Sequence, residues 1–217
     1  MIDLLHIDCM EYMATQPDNA FDLAIVDPPY GIGESGATNK TRSNLAIAND
    51  YKPFYGGDKS APEPGYFDEL KRVSKNQIIF GANHFIDSFP FMCNSPCWIV
   101  WDKDNSGDFA DCELAWTSFK TAVRMFKFTW NGMLQGDMKN KEHRIHPTQK
   151  PVKLYGWLLN NYTEKGQRIL DTHLGSGSSA IAAHYYGVDF VGCELDEDYY
   201  NAACERFDNT TKQEAMF

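Results

Sequence analysis

Four stretches of the chain put reactive residue types where a ligand could meet them. The run FDLAIVDPPYGIG leaves an apolar segment on Asp27, stiffens the backbone twice at Pro28 and Pro29, and then presents the ring of Tyr30. A turn needs only one proline, so the pair calls for a further reason. DTHLGSGSS opens on Asp171 and carries Gly175 and Gly177, whose missing side chains let a ligand lie against the backbone just before a helix N-terminus. Glu194 follows Gly175 by 19 residues, at the end of the next apolar run. An acid there can accept both hydroxyls of a ribose. HPTQKP, residues 146–151, offers Thr148, Gln149 and Lys150 at the start of another helix, a place suited to an anionic carboxylate.

These groups need a scaffold. IDLLHI, FDLAIV, QIIFG, CWIVW, CELAWTSF, RILD and DFVGCE read as seven short buried strands. Helical patterns cover residues 9–15, 66–75, 178–186 and the run DEDYYNAACERF. After Pro151, the apolar residues Val152, Tyr155, Leu158, Leu159 and Tyr162 fall on one helical face, with Gly166 beyond its end. Strands alternating with helices predict an α/β fold: one doubly wound, mostly parallel sheet with helices on both faces. Ligands of such sheets sit beyond the carboxyl ends of the strands. Four of the predicted strands end in acids, Asp8, Asp27, Asp171 and Glu194. Carboxylates side by side repel and desolvate one another, which a fold tolerates when a ligand brings donors or positive charge.

The bulk numbers narrow the classes. The 217 residues suit one domain with a modest insertion, and 43% apolar with 14% aromatic content suits a packed globule. No apolar run is long enough for a bilayer and the first residues do not read as a signal peptide, so a cytoplasmic protein with no membrane partner is expected. The six cysteines lack zinc-site spacing, so no metal is expected. The net charge of −10 argues against nucleic acid, yet Phe119 to Lys153 holds eight positive residues against Asp137 and Glu142, a local +6. That is the footprint of a phosphate-contacting surface, or else a solvated face. Residues 31–64 read as a flexible loop and roughly 104–145 as an insertion. Gly31-Ile32-Gly33-Glu34-Ser35-Gly36 matches a dinucleotide fingerprint literally, which keeps a nicotinamide-dependent oxidoreductase as an alternative, but the required helix does not follow. A non-catalytic DNA-binding module is weaker still, for nothing reads as a helix-turn-helix or zinc finger.

Together the motifs resemble the DNA methyltransferases that methylate exocyclic amines with S-adenosylmethionine. DPPY is similar to their catalytic motif, DTHLGSGSS to their cofactor loop, and HPTQKP to the segment before that loop. The order matches the circularly permuted beta group, which implies a seven-stranded Rossmann-like sheet with the N-terminal strand beside the one ending at Glu194. The loop departs from the family pattern at Thr172, at His173 in place of phenylalanine, and at Ser178-Ser179.

The resemblance implies an adenine-N6 enzyme acting on double-stranded DNA, with cytosine-N4 as the alternative. Asp27 and the Pro28 carbonyl would accept the amine hydrogens, Pro29 would stiffen the turn, and Tyr30 would stack on a flipped base. Asp8 with Cys9 would hold the cofactor adenine, Glu194 with Leu195 the ribose, and Asp171 the methionine ammonium. His173, Gly175, Ser176 and Gly177 would line the methionine chain, and Thr148 and Lys150 would sit near its carboxylate, with Asp27 bordering the cofactor. Lys40, Arg42, Lys120, Arg124, Lys139, Lys141 and Arg144 are the candidates for DNA contact, and 104–145 for a short target-recognition region. A compact bacterial or bacteriophage modification enzyme, possible as a homodimer, completes the expectation.

Overall fold

The computed structural model describes residues 1–33, 58–88, 94–105, 110–131 and 134–212. The first half supplies β1 (Ile2–His6), α1 (Cys9–Ala14), β2 (Phe21–Val26), α2 (Pro64–Val73), β3 (Ser74–Phe80), β4 (Trp98–Asp102), β5 (Cys112–Thr117) and β6 (Arg124–Lys127). A ribbon of β7 (Trp130–Asn131) and β8 (Leu134–Gln135) follows. Then come α3 (Val152–Tyr162), β9 (Arg168–Asp171), α4 (Ser178–Tyr186), β10 (Asp189–Glu194) and α5 (Glu197–Lys212).

The main sheet runs β1-β10-β9-β2-β3-β5-β4-β6. Its neighbours pair in parallel except for β5, which is antiparallel to both β3 and β4. The seven expected strands are present, and β6 adds an eighth at the edge. Among the described residues of 104–145, two strands belong to the main sheet. Their apolar run Cys112–Thr117 is an interior strand, and Arg124–Lys127 lies alongside β4. The ribbon lies outside the main sheet, with Trp130 packed into its core. The basic side chains of β6 hid it from a reading based on apolar runs, because an edge strand needs only one protected face.

Alternation along β2 builds the two faces. Leu23 and Ile25 pack with Leu154, Leu158, Ala180 and Ala183 of α3 and α4. Ala24 and Val26 point the other way, toward Met13 of α1 and Phe67 and Leu70 of α2. Both faces being covered explains why β2 reads as a continuous apolar run. No described helix is long and apolar enough to cross a membrane.

Candidate active site

Strand order brings the four acids together. Along β1-β10-β9-β2 the carboxyl ends carry Asp8, Glu194, Asp171 and Asp27 in that sequence. Parallel pairing makes this unavoidable, since all four strands point the same way. Asp8 caps α1, its Oδ1 accepting from the Met10 and Glu11 amides at 2.8 and 3.1 Å. Cys9 opens that helix, and burial with the Asp8 charge beside it pushes its thiol up to about 12, so it carries no thiolate chemistry.

The loop between β9 and α4 is tied down from both sides. Glu194 Oε2 accepts the Gly175 amide at 2.8 Å and its Oε1 the Asp196 amide at 2.9 Å. Burial raises the Glu194 carboxyl. Leu195 is exposed, and its carbonyl lies 3.1 Å from the ring nitrogen Nε2 of His6. Asp171 is 1% exposed. It accepts from the Ser179 hydroxyl at 2.6 Å and the His173 amide at 3.0 Å. Burial nevertheless lifts it to about 7, with the charges of Asp27 and Glu194 adding to the rise. Gly177, at φ 73°, turns the chain into α4, as a residue without a side chain can. Ser176 and Ser178 share a hydroxyl contact at 3.1 Å.

His173 is held rather than loose. Its Nδ1 lies 2.9 Å from Thr172 Oγ1, which is 2.6 Å from the Tyr66 hydroxyl, and Tyr66 meets its ring edge-on. Burial pushes the imidazole down to about 4, so it is neutral at ordinary pH. Two of the departures from the family loop, Thr172 and His173, thus form one hydrogen-bonded unit with α2.

Around Asp27 the packing is tighter than the motif suggested. Its Oδ1 accepts the Tyr30 hydroxyl at 2.7 Å and its Oδ2 the Lys150 ammonium at 2.6 Å. Tyr30 stacks on His84, ring centroids 5.1 Å apart, and rests on Gly81, where an added Cβ would lie 2.0 Å from Cε1. Lys150, 3% exposed, also reaches Glu113 of β5 at 2.9 Å, and Lys103 pairs with the other Glu113 oxygen at 2.5 Å. Lys150 therefore faces the Asp27–Tyr30 run rather than an open carboxylate site. Thr148 is exposed, its hydroxyl 3.1 Å from His146 Nδ1. Gln149 folds the HPTQKP turn, accepting the Ile145 amide at 3.0 Å while its carbonyl accepts the Trp130 indole N–H at 2.8 Å.

Gly31 and Gly33 serve the fold. Asp58 Oδ1 accepts the Gly31 amide at 2.8 Å, and its carbonyl accepts the Gly33 amide at 2.8 Å. The backbone donors a pyrophosphate would need are thus partly taken, which removes support for the oxidoreductase alternative. The rest of the 31–64 loop through residue 57, with Lys40 and Arg42, lies outside the described residues.

The basic stretch is partly neutralised by folding. Lys127 pairs with Asp104 at 2.6 Å, Lys153 with Asp137 at 2.7 Å, and Lys150 is buried. The Arg144 guanidinium stacks over Trp130 at 4.5 Å. Lys120, Arg124, Lys139 and Lys141 are exposed. Three contributors escaped the sequence reading. They are Glu113, Lys103, and Arg206 of α5, which bonds the Ser176 carbonyl at 2.7 Å and Glu142 at 2.7 Å. Only Glu113 left a trace, as a charge inside an apolar strand.

A family model described as DNA methylase matches residues 112–205. Over those residues, under half of its length, the chain resembles the DNA methyltransferases that act on exocyclic amines. YubD of Escherichia coli (strain K12), a protein named as a methylase, is 29% identical over 214 residues, 92% of this chain and 87% of its own. The type II methyltransferase M2.DpnII of Streptococcus pneumoniae is 22% identical, over 94% of this chain and 89% of its own. Among solved structures, an M1.HpyAVI complex with S-adenosylmethionine superposes with a TM-score of 0.59 at 21% identity, covering 95% of this chain and all of that one. The cytosine-N4-specific PvuII DNA methyltransferase gives 0.61 at 14% identity, covering 97% and 90%. These likenesses share the fold. The M1.HpyAVI structure holds S-adenosylmethionine. The residues present fit that cofactor. Among the described residues no cation pairs with Asp171, so a buried carboxyl is left for an ammonium to claim. No group of metal-ligating side chains occurs among the described residues.

Proposed function

We propose that this methyltransferase transfers a methyl group to N6 of adenine in double-stranded DNA, with the catalytic work done at Asp27-Pro28-Pro29-Tyr30. The observation that carries the proposal is the placement of the Asp27 carboxylate at the end of β2, one strand from the Asp171 loop. The bound cofactor supplies an electrophilic methyl on a sulfonium. An exocyclic amine is a poor nucleophile because its lone pair is delocalised into the ring. Asp27 would accept one N–H and the Pro28 carbonyl the other, which favours a tetrahedral nitrogen and frees the lone pair; as the N–C bond formed the S–C bond would break, S-adenosylhomocysteine would leave as a neutral thioether, and the surplus proton of the methylated nitrogen would pass to Asp27 or to water. The two prolines fix the direction of that carbonyl. Tyr30 stacks on a base swung out of the duplex, since a paired amine is out of reach.

In the cofactor half, Glu194 takes the ribose, Asp8 and Cys9 border the adenine, and Asp171 takes the methionine ammonium. The 173–177 loop lines the chain, and Thr148 stands toward the carboxylate. An acid rather than a serine at the first motif position supports adenine over cytosine. Lys120, Arg124, Lys139 and Lys141 serve as phosphate contacts, and a homodimer is supported by the exposed apolar Val123 and Met125 at the open edge by β6. Work beside a restriction enzyme is the natural setting, as for the type II relatives.

The test is nucleoside analysis by mass spectrometry after incubation with S-adenosylmethionine and unmethylated duplex. N6-methyladenosine is expected, and Asp27→Ala should abolish it while cofactor binding persists. N4-methylcytidine would overturn the adenine assignment. Full activity in Asp27→Ala would overturn the catalytic one.

A further inference from the structure

Asp27 is not free in this structure: one oxygen is held by Tyr30 and the other by Lys150. A lysine whose sole anionic partner was Asp27 would neutralise the acceptor that the target amine needs. Lys150 is instead shared. Glu113 faces it from the neighbouring part of the sheet at 2.9 Å, and Lys103 balances Glu113 at 2.5 Å. The cluster thus holds two cations and two carboxylates, all largely shielded, with side-chain exposures of 3% for Lys150, 15% for Asp27, 21% for Glu113 and 16% for Lys103. In so shielded a cluster, removing one charge redistributes the rest strongly.

We propose that Glu113 is a positioning residue for methyl transfer, drawing Lys150 away from Asp27 so that the Asp27 carboxylate can accept the target amine. The proposal rests on the reading of Asp27 given above. When the amine arrives, Lys150 keeps a partner in Glu113 and gives up its bond to Asp27 Oδ2 without being stranded. Lys103 keeps Glu113 ionised for that purpose. Burial pushes the Glu113 carboxyl up, but the two lysines outweigh it and hold it at about 2.

The groups that bear on Asp27 are Lys150, Glu113 and Tyr30, with Tyr155 and Asp171 behind them. Burial raises Asp27, Lys150 lowers it and Glu113 raises it again. Activity requires the ionised form, so it is lost as pH falls through the Asp27 pKa. Glu113→Gln should therefore lower the plateau kcat tenfold or more and move the acidic limb of the kcat profile down by about one pH unit. Affinity for S-adenosylmethionine should stay within about twofold. Lys103→Gln removes a charge of opposite sign and should move the limb up, while Glu113→Asp should recover part of the plateau.

Opposite displacement of the two limbs is the expected result, and one that loosened packing would not give. Limbs that coincide with wild type, or that move together, overturn the proposal. If Glu113→Gln does not fold, the Lys103→Gln limb decides alone. Asp27→Ala run in parallel separates the cases. An inactive Asp27→Ala with unmoved limbs refutes the role of Glu113 only, whereas an active Asp27→Ala removes the reading on which it rests.

Discussion

Replacing Asp171 by asparagine should weaken the cofactor and make the empty protein more stable. The native carboxyl is lifted by burial from the usual 3.8 to about 7. Between those values the folded chain holds a proton that the unfolded chain has released, so stability falls as pH rises through this window, and the loss is complete above about pH 7. A gap of about three pH units corresponds to about 4 kcal/mol. Relaxation makes this an upper bound. A neutral asparagine escapes the penalty. At pH 8 and without cofactor, Asp171→Asn should resist denaturant better by on the order of 1–4 kcal/mol, and the advantage should fade toward pH 4. Cofactor binding runs the other way, because an ammonium needs the ionised carboxyl. Wild-type affinity should drop about tenfold from pH 8 to pH 6, while the variant binds weakly with a flatter profile. Calorimetric titrations with S-adenosylmethionine at pH 6, 7 and 8, in buffers of different ionisation enthalpy, would read both the affinity and the proton released. A level wild-type affinity with no proton release would refute the reasoning.

Glu194→Ala should raise the dissociation constant for S-adenosylmethionine at least tenfold, since hydrogen bonds to a carboxylate are worth about 1.5–3 kcal/mol each; an unchanged constant by calorimetry would remove the ribose role. Gly81→Ala places a Cβ 2.0 Å from the Tyr30 ring at a backbone φ of 67°. It should lower both the melting temperature and kcat while leaving cofactor affinity intact, and a crystal structure would show Tyr30 displaced. Removing charge at Lys120, Arg124 and Lys139 should flatten the salt dependence of duplex binding, by a slope change of about 0.9 for each phosphate no longer neutralised. An unchanged slope would move the DNA surface elsewhere on the molecule.

The acids at the strand ends were legible because strand ends and buried acids both leave local marks, an apolar run and a charge that stops it. Their order in space follows from pairing alone, with β1 set beside β10. The partners of those acids were not legible. Lys150 reads locally as a helix-start cation fit for a carboxylate ligand, and nothing near it in sequence announces Glu113 or Asp27, which lie 37 and 123 residues away. The same holds for the basic stretch. Its +6 was a sum along the chain, whereas Asp102 and Asp104 reach Lys127 from β4 and the turn after it. β6 was missed because exposed Arg124, Met125 and Lys127 do not form an apolar run.

The pairing of β1 with β10 also bears on how the protein is made. Ile2 sits opposite Phe190, and His6 opposite Glu194. β1 is synthesised before β10 and lacks that neighbour until the residues between them have followed. Such distant closure is slow and leaves an apolar strand seeking other partners meanwhile. The proposed cofactor site is split across that seam, with Asp8 after β1 and Glu194 at the end of β10. A ligand that grips both sides, as proposed for S-adenosylmethionine, would favour the closed seam by mass action.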